Sequence, residues 1–221
     1  MRIVSLLPGA TEIIWNLGLW DNLFGVTQNC DWPPDAINKP TVVNSVIDPG
    51  NMASSEIDHV VKQHVFDGSS IYQIDGSALR EAKPDLIFTQ GLCEVCAVST
   101  DMVYEFIDHM PDKPQVVSLD PHSLNDVFND ILHIGEVTNR VIESKRLVNN
   151  LKMRRDRIEA LTSHLGPKPS VLCLEWLDPV YIGGHWIPEM VEIAGGLGCF
   201  GEPIGSQSVC SRVPKCCTVN S

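Results

Sequence analysis

Apolar residues recur at three- and four-residue steps from Leu124 to Leu165, through Val127, Phe128, Ile131, Ile134, Val137, Val141, Val148, Leu151, Ile158 and Leu161. That is the period of a helix buried along one face, and the spacing predicts one uninterrupted helix. Ser123, with Asp126 three residues on, supplies a start of the capping-box type, and Gly166-Pro167 supplies a stop. At 1.5 Å per residue such a helix would extend roughly 60 Å, longer than a small α/β domain is wide. It is expected to serve as a strut between two lobes.

Ahead of this run, short apolar stretches alternate with helical ones. Ile3 to Leu7 reads as a strand, Pro8-Gly9-Ala10 as a turn, and Thr11 to Leu17 as a helix stopped at Gly18. Leu23 to Thr27, Ser70 to Ile74, Leu86 to Gln90 and Val116 to Leu119 read as further strands. Helices are expected from Ser55, over Ser77 to Ala82, and over Thr100 to His109. Strands separated by helices imply a parallel sheet covered on both faces. Behind the run, Ser170 to Glu175 and Tyr181-Ile182 read as strands, followed by a helix opened by Pro188 and closed by Gly195-Gly196. The division that follows is an N-terminal α/β lobe at 1–122, a connecting helix at 123–166, a partial C-terminal α/β lobe at 167–204 and an irregular tail at 205–221.

A chain of 221 residues with 43% hydrophobic content can bury a core. No segment approaches the roughly 20 consecutive apolar residues of a membrane-spanning helix. Met1 to Pro8 lacks the apolar core of a secretory signal, so a cytosolic location with reduced thiols is expected. The formal charge of −12 is concentrated in residues 1–122, which hold 17 acidic and 6 basic side chains. That balance excludes a phosphate-backbone partner, for which a basic stripe is needed.

In parallel α/β sheets, ligands collect beyond the carboxyl ends of the strands. The segments that follow the predicted strands are Pro8 to Glu12, Asn29 to Pro34, Gln90 to Cys96, Glu175 to Pro179 and Gly183 to Trp186. Trp32, Trp176 and Trp186 fall in them, and indoles lining a pocket suit a broad, flat, partly apolar guest. Cys93 and Cys96 form a CxxC, the spacing of thiol redox motifs and of half a zinc site. Cys30, Cys173 or His185 are the candidates to complete a zinc or iron set. Neither GxSxG, GxxxxGK[ST] nor HExxH occurs, and no two acidic residues are spaced as an acid/base pair, so no catalytic residues are assigned.

SLLPGATEIIWNLGL at 5–19, VTQNCDWPP at 26–34, KPDLIFTQ at 83–90, and LCLEWLDP with the later GGHWIPEMVEIAGG resemble the cobalamin and iron-chelate branch of the periplasmic-binding-protein-like family. The resemblance spans about residues 1 to 204 and is closest to a cobalamin-binding-protein-like subgroup. It implies two Rossmann-like α/β lobes joined by a long helix, with a second lobe that is incomplete here. It also implies a non-enzymatic monomer that holds a corrinoid or related metal chelate between its lobes and hands it to an ABC transporter permease. By this resemblance the ligand-facing residues are Pro8, Gly9, Asp31, Trp32, Gln90, Gly91 and Leu92 in the first lobe, with Glu175, Trp176, His185 and Trp186 in the second. The alternative is a cytosolic thiolate protein holding zinc or iron, or cycling a disulfide, through Cys93 and Cys96.

Overall fold

The computed structural model describes residues 1–91, 98 and 100–198, so the tail expected at 205–221 lies outside the described residues. The first lobe is built on a six-stranded sheet of β1 (Ile3–Ser5), β2 (Leu23–Thr27), β3 (Thr41–Ser45), β4 (Tyr72–Ile74), β5 (Leu86–Gln90) and β6 (Gln115–Leu119). Their spatial order is β4-β3-β2-β1-β5-β6. The chain works outward from β1 to β4, then crosses back to place β5 on the other side of β1. That reversal opens a crevice at the carboxyl ends of β1 and β5. All pairings are parallel except β3 with β4, so the sheet is mixed, with an antiparallel edge where an all-parallel sheet was expected.

Both faces of this sheet are covered, which explains its unbroken apolar strands. Alternation splits them: Ile3 and Phe88 pack against α1 (Pro8–Asn16) and against Ile134 of α5 (Leu124–Val137). Val4 and Ile87 face the other way, onto the layer of α2 (Ser54–Phe66), α3 (Gly76–Ala82) and α4 (Thr100–Ile107). β3 has only Val42 and Val43 as buried apolar residues between polar neighbours, and the sequence pattern gave no sign of it.

The strut is not one helix. The run from 124 to 165 forms α5 and α6 (Val141–Thr162), and these fold into an antiparallel hairpin. Asn139 takes a left-handed conformation with φ 58°, and the Thr138 hydroxyl donates to the Ile134 carbonyl at 2.5 Å. Phe128, Ile131 and Val148 form the seam of the hairpin, with Leu132, Leu147 and Leu151 packed against them. The capping box at Ser123 and Asp126 forms as expected. The 22 residues of α6 reach about 33 Å and provide the long helix that leads to the second lobe.

The described second lobe consists of β7 (Ser170–Val171), β8 (Leu174–Leu177), β9 (Val180–Ile182), α7 (Ile187–Ile193) and β10 (Leu197–Gly198). β7 pairs in parallel with β10, and β8 pairs with β9 as an antiparallel hairpin. The expected strand from Ser170 to Glu175 is therefore two strands, and Glu175, Trp176 and Leu177 lie within β8 rather than in a loop after a strand.

Asp130 sits half-buried on α5, and burial pushes its carboxyl up to about 6; Asp126 and Asp120 add to this and His133 opposes it. The folded state thus prefers the protonated acid. Its contribution is complete below the unfolded carboxyl value near 4 and is lost as pH rises through about 6. Asp130→Asn should therefore raise stability by about 1 kcal/mol in urea titrations near neutral pH and leave it unchanged below about pH 4, after allowing for the solvent reaching this group.

Candidate functional site

Five of the six strands of the first lobe end on the same side, and their following residues form one rim. After β1 the chain turns directly into α1, whose first residue is Pro8, so Pro8 is half-buried and Gly9 exposed at the helix start. Thr11, one turn on, is buried, and its hydroxyl donates to Ser5 Oγ at 2.9 Å. The same hydroxyl lies 3.1 Å from Cys30 Sγ. This knot ties the end of β1 to the segment after β2. Burial pushes the Cys30 thiol up, which keeps it protonated and suits packing rather than ligation.

Asp31 and Trp32 follow Cys30 on the exposed side of that segment. Trp32 is 48% exposed and meets Trp15 of α1 edge-on, with ring centroids 6.3 Å apart. Glu12 lies one helical turn before Trp15. Partial burial and the neighbouring Asp31 charge raise the Glu12 carboxyl above its ordinary range.

On the other side of β1, Gln90 ends β5 half-buried and Gly91 is exposed. A Cβ on Gly91 would stand 2.9 Å from Ser118 Oγ, so a larger residue there would have to turn the Ser118 hydroxyl aside. β6 then leads into Asp120-Pro121-His122, with His122 Nε2 3.7 Å from Asp120 Oδ2. Leu92, Cys93 and Cys96 lie outside the described residues. Thr89 marks the two sides of that segment, donating its hydroxyl to the Val98 carbonyl at 3.1 Å.

The second lobe meets this rim at several points. His185, in a left-handed conformation with φ 53°, brings its ring to 6.4 Å from that of His122 and 5.8 Å from that of Trp186. Glu189, in the first turn of α7, accepts from the Leu124 backbone N–H at 3.0 Å, so a carboxylate of one lobe caps a helix of the other. The β8–β9 hairpin reaches α2: Trp176 Nε1 donates to the Ser54 carbonyl at 3.3 Å, and the Tyr181 hydroxyl donates to Asp58 Oδ1 at 2.6 Å. Glu175 Oε1 accepts from the Gly184 N–H at 3.3 Å within the lobe.

The structure thus sorts the expected site residues. Pro8, Gly9, Asp31, Trp32, Gln90 and Gly91 share the rim of the first lobe, and His185 and Trp186 face it from the second. Trp176 binds the lobes together, and Glu175 secures its own hairpin. Among the described residues no ring contact links Trp32, Trp176 and Trp186. Trp15, Asp120 and His122 also belong to the rim, although the sequence reading had not placed them there. The last two follow a strand that was expected at Val116 to Leu119, so the strand-end rule pointed to them. Among the described residues no group of three or more His, Cys, Asp or Glu is placed to hold a metal ion.

A concavity also lies away from this rim. An open groove of about 640 Å³ at the β4 edge is lined by Gln73, Arg80, Met102, Phe106 and Met110, none of them a predicted site residue. No parallel strand ends there, so the fold directs no loops into it.

The hydrogen bond from Tyr181 to Asp58 raises the phenol above its ordinary value near 10. Its contribution to the contact between lobes is therefore complete below about pH 10 and disappears as pH rises through the raised value. Tyr181→Phe should cost about 1 kcal/mol in denaturant unfolding at neutral pH, and the difference from the parent protein should vanish in strong alkali.

A family model described as periplasmic binding protein matches residues 3–212. The chain belongs to this family. Over 43 residues, 20% of this chain and 16% of the relative, it is 46% identical to the vitamin B12-binding protein of Vibrio cholerae. The fold matches the crystal structure of the periplasmic vitamin B12 binding protein of V. cholerae with a TM-score of 0.66 at 18% identity, covering 97% of this chain and 70% of that one. It also matches IsdE of S. aureus complexed with heme, with a TM-score of 0.62 at 18% identity, covering 92% and 66%. The chain thus spans about two thirds of these structures, in keeping with the expected incompleteness of the second lobe. Family membership overturns the expected cytosolic location: its members are periplasmic solute-binding proteins, which points outside the cytoplasm. Among the described residues no helix is long and apolar enough to cross a membrane.

Proposed function

We propose that this chain is a non-enzymatic binding protein that takes a corrinoid, or a closely related metal chelate, between its two lobes and presents it to an ABC transporter permease. The observation that carries the reading is the His122–His185 approach at 6.4 Å, which sets the ends of the first lobe's strands against the Gly183 to Trp186 turn of the second. The local identity to a vitamin B12-binding protein supports a corrinoid as the guest. Trp32 and Trp186 would lie against its broad faces, and Asp31, Gln90 and the exposed backbone around Gly9 and Gly91 would meet its polar edge. At about 25 cal/mol per Å², a few hundred Å² of buried apolar surface offers several kcal/mol before the losses of association, enough for micromolar binding.

Equilibrium dialysis against cyanocobalamin tests this. Saturable uptake of one equivalent with a Kd of about 10 µM or lower is expected. Absence of uptake at ligand concentrations of about 100 µM would overturn the assignment. No described feature favours a thiolate metal or redox centre, since Cys30 is a buried, protonated thiol and Cys173 belongs to the second lobe.

A further inference from the structure

Between Arg2 and Lys39 the sequence contains no lysine or arginine, and the same holds between Lys83 and Lys113, between Lys113 and Arg140, and from Pro169 to Gly198. These four stretches contain the segments that follow β1, β2, β5 and β6, together with the whole described second lobe. They are not short of acids: Glu12, Asp31, Asp120, Glu175, Asp178 and Glu189 all lie on them. An excess of 28 acidic over 16 basic side chains would be unremarkable on its own, but the cations here are sorted by place.

Each cation of the first lobe lies away from the rim. Arg2, before β1, donates to the Ala82 carbonyl at 2.6 Å and covers the Phe24 ring. Lys39, before β3, donates to the Trp20 and Leu23 carbonyls at 2.8 and 2.9 Å. Arg80 lies over Phe106, Lys83 closes α3, and Lys113, before β6, pairs with Asp108. Lys62 is the one that comes near the second lobe, and its ammonium is bound to Asp58 in the contact with Tyr181. The remaining described cations lie on α6, at Arg140 before it, or at Lys168 before β7.

A ligand with ionised carboxylates at its edge needs a guanidinium or ammonium opposite them, because a carboxylate brought out of water beside other carboxylates is both desolvated and repelled. This rim offers no such partner among the described residues. Partial burial and the Asp31 charge both raise the Glu12 carboxyl, at the corner where Trp15 meets Trp32. Amide groups meet the same carboxylates as hydrogen-bond donors. Resting on the cleft reading proposed above, we infer that the site selects a guest whose rim is uncharged and amide-bearing, as in an intact corrinoid, and rejects chelates that carry free carboxylates, as haem does.

Isothermal titration calorimetry at neutral pH and low salt, with four ligands, tests the inference. They are cyanocobalamin, the same corrinoid with peripheral amides hydrolysed to carboxylic acids, haem, and haem dimethyl ester. Each free acid should bind at least about tenfold more weakly than its neutral counterpart, with the gap narrowing at about 0.5 M salt. The doubly substituted Glu12→Gln, Asp31→Asn protein should bring the ratio for the corrinoid pair towards one. Free acids that bind as tightly as their neutral counterparts would overturn the charge selection and leave the cleft reading standing. If none of the four binds, the cleft reading fails and the selection falls with it.

Discussion

Gly135→Val is expected to destabilise the protein by about 3 kcal/mol, seen as a lower urea midpoint with an unchanged slope. Gly135 is buried in α5 where the hairpin closes onto α6. A Cβ there would come 2.1 Å from Ser144 Oγ, 2.4 Å from Ser144 Cβ and 3.0 Å from the Arg140 carbonyl oxygen. Ser144 is itself buried and its hydroxyl is held by the Val141 carbonyl at 3.1 Å, so it has no room to yield. Helix propensity favours almost any residue over glycine by up to about 1 kcal/mol, which works against the predicted loss and makes its sign diagnostic. Removing the opposing side chain with Ser144→Gly in the Gly135→Val background should recover part of the stability, whereas two independent effects would add. A Gly135→Val protein as stable as the parent would mean that α5 and α6 do not pack at this point.

Trp32→Ala should weaken corrinoid binding about 30- to 100-fold, equivalent to about 2–3 kcal/mol, with little change in folding stability. Trp32 is 48% exposed and its one ring contact among the described residues is the edge-on approach to Trp15, so about half of it stays open. On the cleft reading proposed above, that open half of the indole is what a guest would cover. Trp176→Ala provides the contrast. That indole is half-buried against Ser54, so its loss should lower stability and affect binding only through the position of the second lobe. Calorimetric titration of both variants beside their thermal unfolding separates the two roles. Equal losses of affinity with equal losses of stability would show that Trp32 is a packing residue.

Much of the first lobe could be read from its residues because burial on both faces leaves the central strands unmistakably apolar. β1, β2, β5 and β6 fall within or close to the expected runs, and the strand-end rule then gave Pro8, Asp31, Trp32 and Gln90 their places on the rim. The helix hairpin could not be read in the same way. Val137 and Val141 keep helical step across the break, and both arms bury their apolar stripes in the same seam, so periodicity alone does not distinguish one long helix from two folded together. The informative signal was the short polar sequence Thr138-Asn139-Arg140, with an asparagine suited to the left-handed turn. In the second lobe, Asp178-Pro179 marks a hairpin turn that separates β8 from β9, and reading it as a loop after a strand misplaced Glu175 and Trp176. The long-range partners of those two residues depend on how the lobes meet, which no local pattern encodes.

The second lobe is fastened to the rest of the chain at three separate places. At the first, α6 delivers the chain and Thr162 Oγ1 donates to the Ile193 carbonyl at 2.8 Å; at the second, Trp176 and Tyr181 grip α2; at the third, Glu189 accepts from the Leu124 N–H at 3.0 Å, close to where His185 meets His122. A body pinned at two points could still swing about the line through them, but here such a swing strains the third fastening. On the proposed binding role, loading and release would then require one of these fastenings to let go, and cutting the α2 fastening alone would restore a hinge.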